Sequence, residues 1–164
     1  RLIFAVGADG RVAVGGEGPD YRVRIVTPTG GEQVICRPVT GLPLRPDELG
    51  EGLDPDNPFR QPMLQSPRPA EPAPIGRLML GREGRLWVER DRPSMSDPRQ
   101  FLSGRPGSLY DVFDATGAYL GELRAPDHAK LVAASGDRVW AFEVGEFDVT
   151  WVVAYRLEAA PGSG

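Results

Sequence analysis

The chain has one histidine, His128, one lysine, Lys130, and one cysteine, Cys36. Residues that can do chemistry are therefore scarce, and their setting decides what each can do. Asp127-His128 precedes an alternating apolar run, which places the pair at the start of a strand. That position makes Asp127 and His128 the candidate ligand-facing residues. Nucleophilic triads use a histidine in most versions, so any such triad would have to use His128. A lone histidine without further ligands does not make a metal site. No catalytic residue, metal ligand or cofactor is assigned. A single cysteine excludes an internal disulfide and a cysteine-based zinc site. Cys36 reads as a small buried strand residue, the usual fate of a free thiol. Glu143, Glu146 and Asp148 read as a solvated acidic loop, since their spacing matches no calcium loop. The Gly-rich stretch 10–18 is not followed by a helical pattern, so no phosphate loop or dinucleotide fingerprint is present. Arg22, Arg24, Arg85 and Arg138 read as solubilising edge and face residues.

The elements that must position these residues are short strands. Apolar residues make up 40% of the 164 and charged residues 26%, a globular balance. Twenty-one glycines and seventeen prolines imply many turns and favour an all-β chain. A net charge of −4 argues against a nucleic-acid surface and an anionic membrane surface. No apolar run approaches the ~20 residues of a membrane helix. The chain shows no signal peptide, but it starts at Arg1 inside a strand pattern, so compartment stays open.

Four strands are expected first: Arg1–Val6, Arg11–Gly15, Tyr21–Thr27 and Glu32–Arg37. Asp9-Gly10 and Thr29-Gly30 carry turn chemistry between them. Residues 38–74 then hold ten of the seventeen prolines, which deny ladder hydrogen bonds and break helices. This segment reads as a long excursion along the surface. Strands resume at Ile75–Leu80, Arg85–Arg90, Ser108–Phe113 and Tyr119–Arg124, with a polar loop over Asp91–Gly107. Three more are expected at His128–Ala134, Arg138–Val144 and Val149–Leu157. The division is a blade over 1–37, the excursion over 38–74, a blade over 75–126, an incomplete last blade over 127–158 and a tail over 159–164.

One strand signature occurs three times, in Gly10-Arg11-Val12-Ala13-Val14, Gly84-Arg85-Leu86-Trp87-Val88 and Asp137-Arg138-Val139-Trp140-Ala141-Phe142. Its arginines are separated by 74 and 53 residues. A four-stranded propeller blade takes roughly 40–50 residues, and the two long loops account for the excess. In Leu86-Trp87-Val88 the large side chains alternate onto both faces, and Val139 and Ala141 oppose Trp140 and Phe142. Strands apolar on both sides belong to sheets buried on both sides, as in a propeller blade. Trp87 and Trp140 are thus expected to pack between blades. The expected fold is all-β, with antiparallel four-stranded meanders stacked as about three blades of a β-propeller. An up-and-down barrel or a sandwich is the other arrangement open to such strands.

The chain resembles the six-bladed β-propeller family of the NHL type, particularly bacterial proteins known only as six-bladed propellers. The residues that carry the likeness are Asp9-Gly10-Arg11-Val12, Glu83-Gly84-Arg85-Leu86-Trp87-Val88, Tyr110-Asp111-Val112-Phe113-Asp114-Ala115-Thr116-Gly117 and Gly136-Asp137-Arg138-Val139-Trp140. They cover most of 1–37 and 75–157. The resemblance implies an exported or lipid-anchored bacterial parent with a binding role. The third unit has three strands, and the first begins on an innermost-type strand. The expectation is a C-terminal portion of a longer chain, or one half of an assembled ring. Remaining blades or a second copy would be needed to close it. The expected function is a non-enzymatic module that binds a protein or small-molecule ligand. The alternative is a metal-dependent hydrolase of lactonase type with its ligands mostly in absent blades. Such enzymes place Glu, Asn or Asp at the channel ends of innermost strands. The strand starts at Arg1, Ile75 and His128 carry no carboxylate, and the only asparagine is Asn57.

Overall fold

Four of the hairpins are closed by one and the same turn. In Gly7–Arg11, Thr27–Gly31, Gly81–Arg85 and Asp114–Ala118 the first residue's amide donates to the fifth residue's carbonyl at 2.8–2.9 Å. The amide of the fourth residue donates back to the first residue's carbonyl at 2.9–3.0 Å. That fourth residue is always glycine, with φ of 80°, 84°, 77° and 83° in turn. This is a type I turn ending on a left-handed residue, a conformation that carries a steric cost for any residue with a Cβ. The Asp-Gly and Thr-Gly pairs of the sequence are the last two residues of this turn in three cases, Asp9-Gly10, Thr29-Gly30 and Thr116-Gly117. In Gly81–Arg85 Glu-Gly takes their place.

The computed structural model describes residues 2–16, 19–39, 73–90, 108–127, 129–144 and 149–158. Among them are eleven strands and no helix. The strands are β1 (Leu2–Val6), β2 (Val12–Gly16), β3 (Tyr21–Val26), β4 (Glu32–Arg37), β5 (Arg77–Leu80) and β6 (Leu86–Glu89). They continue with β7 (Leu109–Phe113), β8 (Tyr119–Arg124), β9 (Ala129–Ser135), β10 (Arg138–Val144) and β11 (Thr150–Arg156). Each strand pairs antiparallel with the next in sequence, giving sheets β1-β2-β3-β4, β5-β6-β7-β8 and β9-β10-β11. The expected meanders are present, and the third unit has three strands. Most of the 38–74 excursion, the 91–107 loop, the 159–164 tail and His128 lie outside the described residues.

The sheets stack in chain order. β1 touches β5 and β5 touches β9, so the first strand of each sheet adjoins the first strand of the next. Two apolar layers fill the two gaps. Between sheets one and two lie Ile3, Ala13, Tyr21, Val23, Ile25 and Ile35 against Ile75, Leu78, Leu86, Val88 and Phe113. Between sheets two and three lie Met79, Trp87, Tyr110 and Val112 against Ala129, Leu131, Ala134, Val139 and Ala141. The middle sheet is therefore covered on both faces at its inner strands: β6 is buried at all four positions and β7 at all five, while β8 stays largely exposed. That is why Leu86-Trp87-Val88-Glu89 shows no polar alternation. Three antiparallel meanders packed face to face, first strand to first strand, are a stack of blade-like sheets.

The outer sheets have one covered face each, and this corrects two expectations. Trp140 is half-buried, because Val139 and Ala141 face the second layer while Trp140 and Phe142 face away from it. Cys36 is exposed. On β4, Ile35 faces the first layer, so its neighbours Val34 and Cys36 emerge on the uncovered side of sheet one.

Arg85 is also not a plain solubiliser, and Arg11 makes the matching contact one sheet earlier. A Cβ on Gly84 would overlap the Arg11 guanidinium, so Arg11 of sheet one lies against the β5–β6 turn of sheet two. Asp9 Oδ2 accepts from Arg11 Nε at 2.6 Å and aims it there. Arg85 Nη1 donates to the Gly136 carbonyl in the β9–β10 turn at 3.0 Å. Glu83 Oε1 accepts from the Gly136 amide at 2.8 Å and from the Ser135 hydroxyl at 2.7 Å. These bonds hold the Glu83 carboxyl below the ordinary glutamate value.

Gly84→Ala is expected to destabilise the chain in a denaturant melt. The left-handed backbone alone costs roughly 1–2 kcal/mol for a residue with a Cβ, and Arg11 is displaced as well. Gly30→Ala is the control, because its turn has the same φ with nothing within 4 Å of the new Cβ. The excess loss at Gly84 measures the contact between sheets. Equal losses at both sites would mean that the Arg11 contact contributes nothing.

Candidate functional site

Two buried polar groups stand between the sheets, both at the end where the odd-numbered strands begin. In the second gap, Arg77 of β5 pairs in register with Glu89 of β6, and Glu89 with Tyr110 of β7. Directly opposed residues share a face, so the three side chains form a row. Arg77 Nε lies 2.8 Å from Glu89 Oε2. Its Nη2 donates to the Leu131 carbonyl of β9 at 2.6 Å and to the Tyr110 hydroxyl at 3.1 Å. The Ser108 hydroxyl donates to Glu89 Oε1 at 3.4 Å. Glu89 is only 4% exposed. A carboxylate so buried persists because it is ion-paired and hydrogen-bonded. One arginine thus neutralises Glu89 and ties β5 to β9.

Lys130 of β9 belongs to the same group. Burial holds its ammonium below the ordinary lysine value, the Arg77 charge pushes the same way, and Glu89 offsets part of this. Burial, then the Glu89 charge, pushes the Tyr110 hydroxyl up. The sign for stability follows. A lysine with a depressed folded value pays for its charge at low pH, and that cost is relieved as pH rises through the folded value towards the unfolded one, near ~10.4. Acylation of Lys130, followed by peptide mapping, is expected to reach half its limiting rate below pH ~10.4. Arg77→Met is expected to move that midpoint upward. An ordinary midpoint that ignores Arg77 would contradict the arrangement.

In the first gap the central group is Asp111 of β7, fully buried. Arg37 Nη1 of β4 donates to its Oδ1 at 2.6 Å across the two sheets. The Tyr119 hydroxyl donates to the same oxygen at 3.4 Å. Arg90 Nε stands 3.9 Å from Oδ2, and Arg90 Nη1 donates to Glu122 at 3.3 Å. The Arg37 guanidinium lies 3.8 Å from the Tyr119 ring centroid, within cation–π range. Burial, then the negative Asp111, pushes the Tyr21 hydroxyl up.

The structure places Asp127 in the exposed turn just ahead of β9, three residues past Arg124, the end of the sheet-two meander. His128 falls outside the described residues. Asp127 and Lys130 therefore sit at the start of the same first strand, and Arg77 at the start of the neighbouring one. The reading of residue types alone missed Arg37, Arg77, Glu89, Ser108, Tyr110 and Asp111. A signal for two of them was present. Glu89 and Asp111 are carboxylates inside otherwise apolar strand runs, where only a partner from elsewhere makes them tolerable.

Chemically, the first-gap group is a closed set in which Asp111 is engaged by Arg37. The second-gap group sets Arg77 and Lys130 beside the buried carboxylate Glu89, with Asp127 in the turn just ahead of β9. Among the described residues no group of three metal-ligating side chains comes together. No helix of the described residues is long and apolar enough to cross a membrane. The fold and these groups define an all-β stack of antiparallel meander sheets with ionic ties in both gaps. No family model matches the chain, and no curated protein matches it.

Proposed function

We propose that this chain is a non-enzymatic binding module, built as part of a six-bladed β-propeller of the NHL-like kind. The observation that carries this reading is the adjacency of the first strands of the three sheets. β1 adjoins β5 and β5 adjoins β9, as successive strands lining a propeller channel do. At their starting ends Arg77, Lys130 and Asp127 come together, and Glu89 is held in an ion pair by Arg77. The ligand expected there is a small molecule or protein with an anionic group that the Arg77 guanidinium and the Lys130 ammonium can meet, beside Asp127. Further blades or a second copy complete the ring.

The test is binding without turnover. Citrate and a short polyglutamate peptide serve as anionic probes. Binding is expected to slow acylation of Lys130, and Lys130→Gln is expected to weaken it. A dialysed sample that retains one divalent metal per chain and opens a lactone would overturn the reading in favour of a hydrolase.

A further inference from the structure

The two outward faces of the stack repeat the two faces that are already joined inside it. Sheet two turns Arg85, Trp87 and Glu89 towards sheet three. There Trp87 is buried and Arg85 bonds the β9–β10 turn. Sheet three carries the same series, Arg138 and Trp140, on the side away from sheet two. The alternation fixes this, since Val139 and Ala141 between them face inward. Phe142 follows on the same side, and Val152, paired in register with Phe142, is 67% exposed.

The opposite end repeats the complementary face. Leu78, Leu86 and Val88 of sheet two receive sheet one, with Leu80 packed beside them. Counted from the shared turn glycines Gly7 and Gly81, the equivalent positions of sheet one are Phe4, Val6, Val12 and Val14. Phe4 is 65% exposed and Val6 63%. Phe4 pairs with Val14 and Val6 with Val12, so all four lie on one side of the sheet.

From this correspondence we propose that a second copy of the chain docks head to tail. The Arg138-Trp140-Phe142-Val152 face of one copy covers the Phe4-Val6-Val12-Val14 face of the other. Arg138 then meets the Gly7–Arg11 turn of the second copy, as Arg11 meets the Gly81–Arg85 turn and Arg85 the Ser135–Arg138 turn. The β9–β10 turn is shorter than the others, yet Arg138 still opens its strand on the outward side. Two copies joined at both ends give six sheets in a closed ring. The contact is heterologous, and closure after two copies is what prevents a filament. This inference rests on the propeller reading above, but its test reads mass and not ligand, so the two can fail separately.

The experiment is light scattering on the whole chain over a concentration series, with Phe4→Asp and Val152→Asp as variants. The wild type is expected at twice the chain mass. Each variant is expected at the single mass with a retained cooperative melt, its dissociation constant raised on the order of 30-fold or more, as for a central apolar anchor. Mixing the two variants is expected to restore pairs, because one undamaged head then meets one undamaged tail. Exposed Cys36, on the Phe4 side of sheet one, is expected to react several-fold more slowly with a thiol reagent in the pair. A wild type at the single mass would overturn the proposal and assign these faces to further blades. Open-ended multimers, or variants that stay paired, would overturn it as well. Failure of the mixture to pair would mean a symmetric contact and would also overturn it.

Discussion

Trp87→Ala is expected to be the most damaging single truncation in the chain, at about 3–5 kcal/mol, the range for emptying a fully buried large aromatic site. Trp87 is 1% exposed and fills the gap between sheets two and three, where its neighbours include Met79, Tyr110, Leu131 and Val139. The surrounding wall is two sheets clamped by Arg77, Arg82 and Arg85, so it cannot collapse onto the cavity. The Arg82 amide itself donates to the Ala134 carbonyl across the gap at 3.0 Å. Urea melts followed by far-ultraviolet circular dichroism give the magnitude. Trp140→Ala is the internal comparison and is expected to cost much less in the isolated chain, because Trp140 is half-buried on an outer face. In the head-to-tail pair the cost at Trp140 is expected to rise with chain concentration. Equal, concentration-independent losses at Trp87 and Trp140 would contradict both the buried layer and the outward face.

Asp111→Ala is expected to follow at about 3 kcal/mol, near the low end of the 3–5 kcal/mol found when one partner of a buried ion pair is removed. The low end applies because Arg37 remains 26% exposed and can rehydrate. The loss is felt between sheets, since Arg37 is on β4 and Asp111 on β7. A double-mutant cycle with Arg37→Met isolates that term. A coupling of about 1–2 kcal/mol is expected for residues in direct contact. Additive losses would mean that Asp111 acts within its own sheet, through Tyr119. Because removing the pair together leaves no buried charge unmatched, the double variant is expected to be more stable than Asp111→Ala alone.

Strand positions and turns were legible because both are set by near neighbours. The Gly10, Gly30, Gly84 and Gly117 turns need a residue that accepts positive φ four places after the strand ends, and that spacing is written in the chain. All eleven strands lie within a few residues of the expected ranges. The two-sided apolar pattern of Leu86-Trp87-Val88 correctly implied a sheet covered on both faces. The same pattern in Val139-Trp140-Ala141 implied the same covering, and within one chain Trp140 does not receive it. Periodicity records that a face is apolar, not what lies against it.

The sequence by itself determined the all-β class, the meander order and the blade-like grouping, because alternation and turn chemistry act over a handful of residues. Tertiary structure alone decided which charges meet. Arg37 and Asp111 are 74 positions apart, and Arg77 reaches a carbonyl 54 positions away. Arg85 looked like surface charge until the next sheet's turn came within its reach. Cys36 looked like core until Ile35 took the inward side of β4. Stacking sheets brings distant ends of strands together, and an ionic tie forms wherever a buried carboxylate and an arginine arrive on facing surfaces, a coincidence of three-dimensional register that no local pattern encodes.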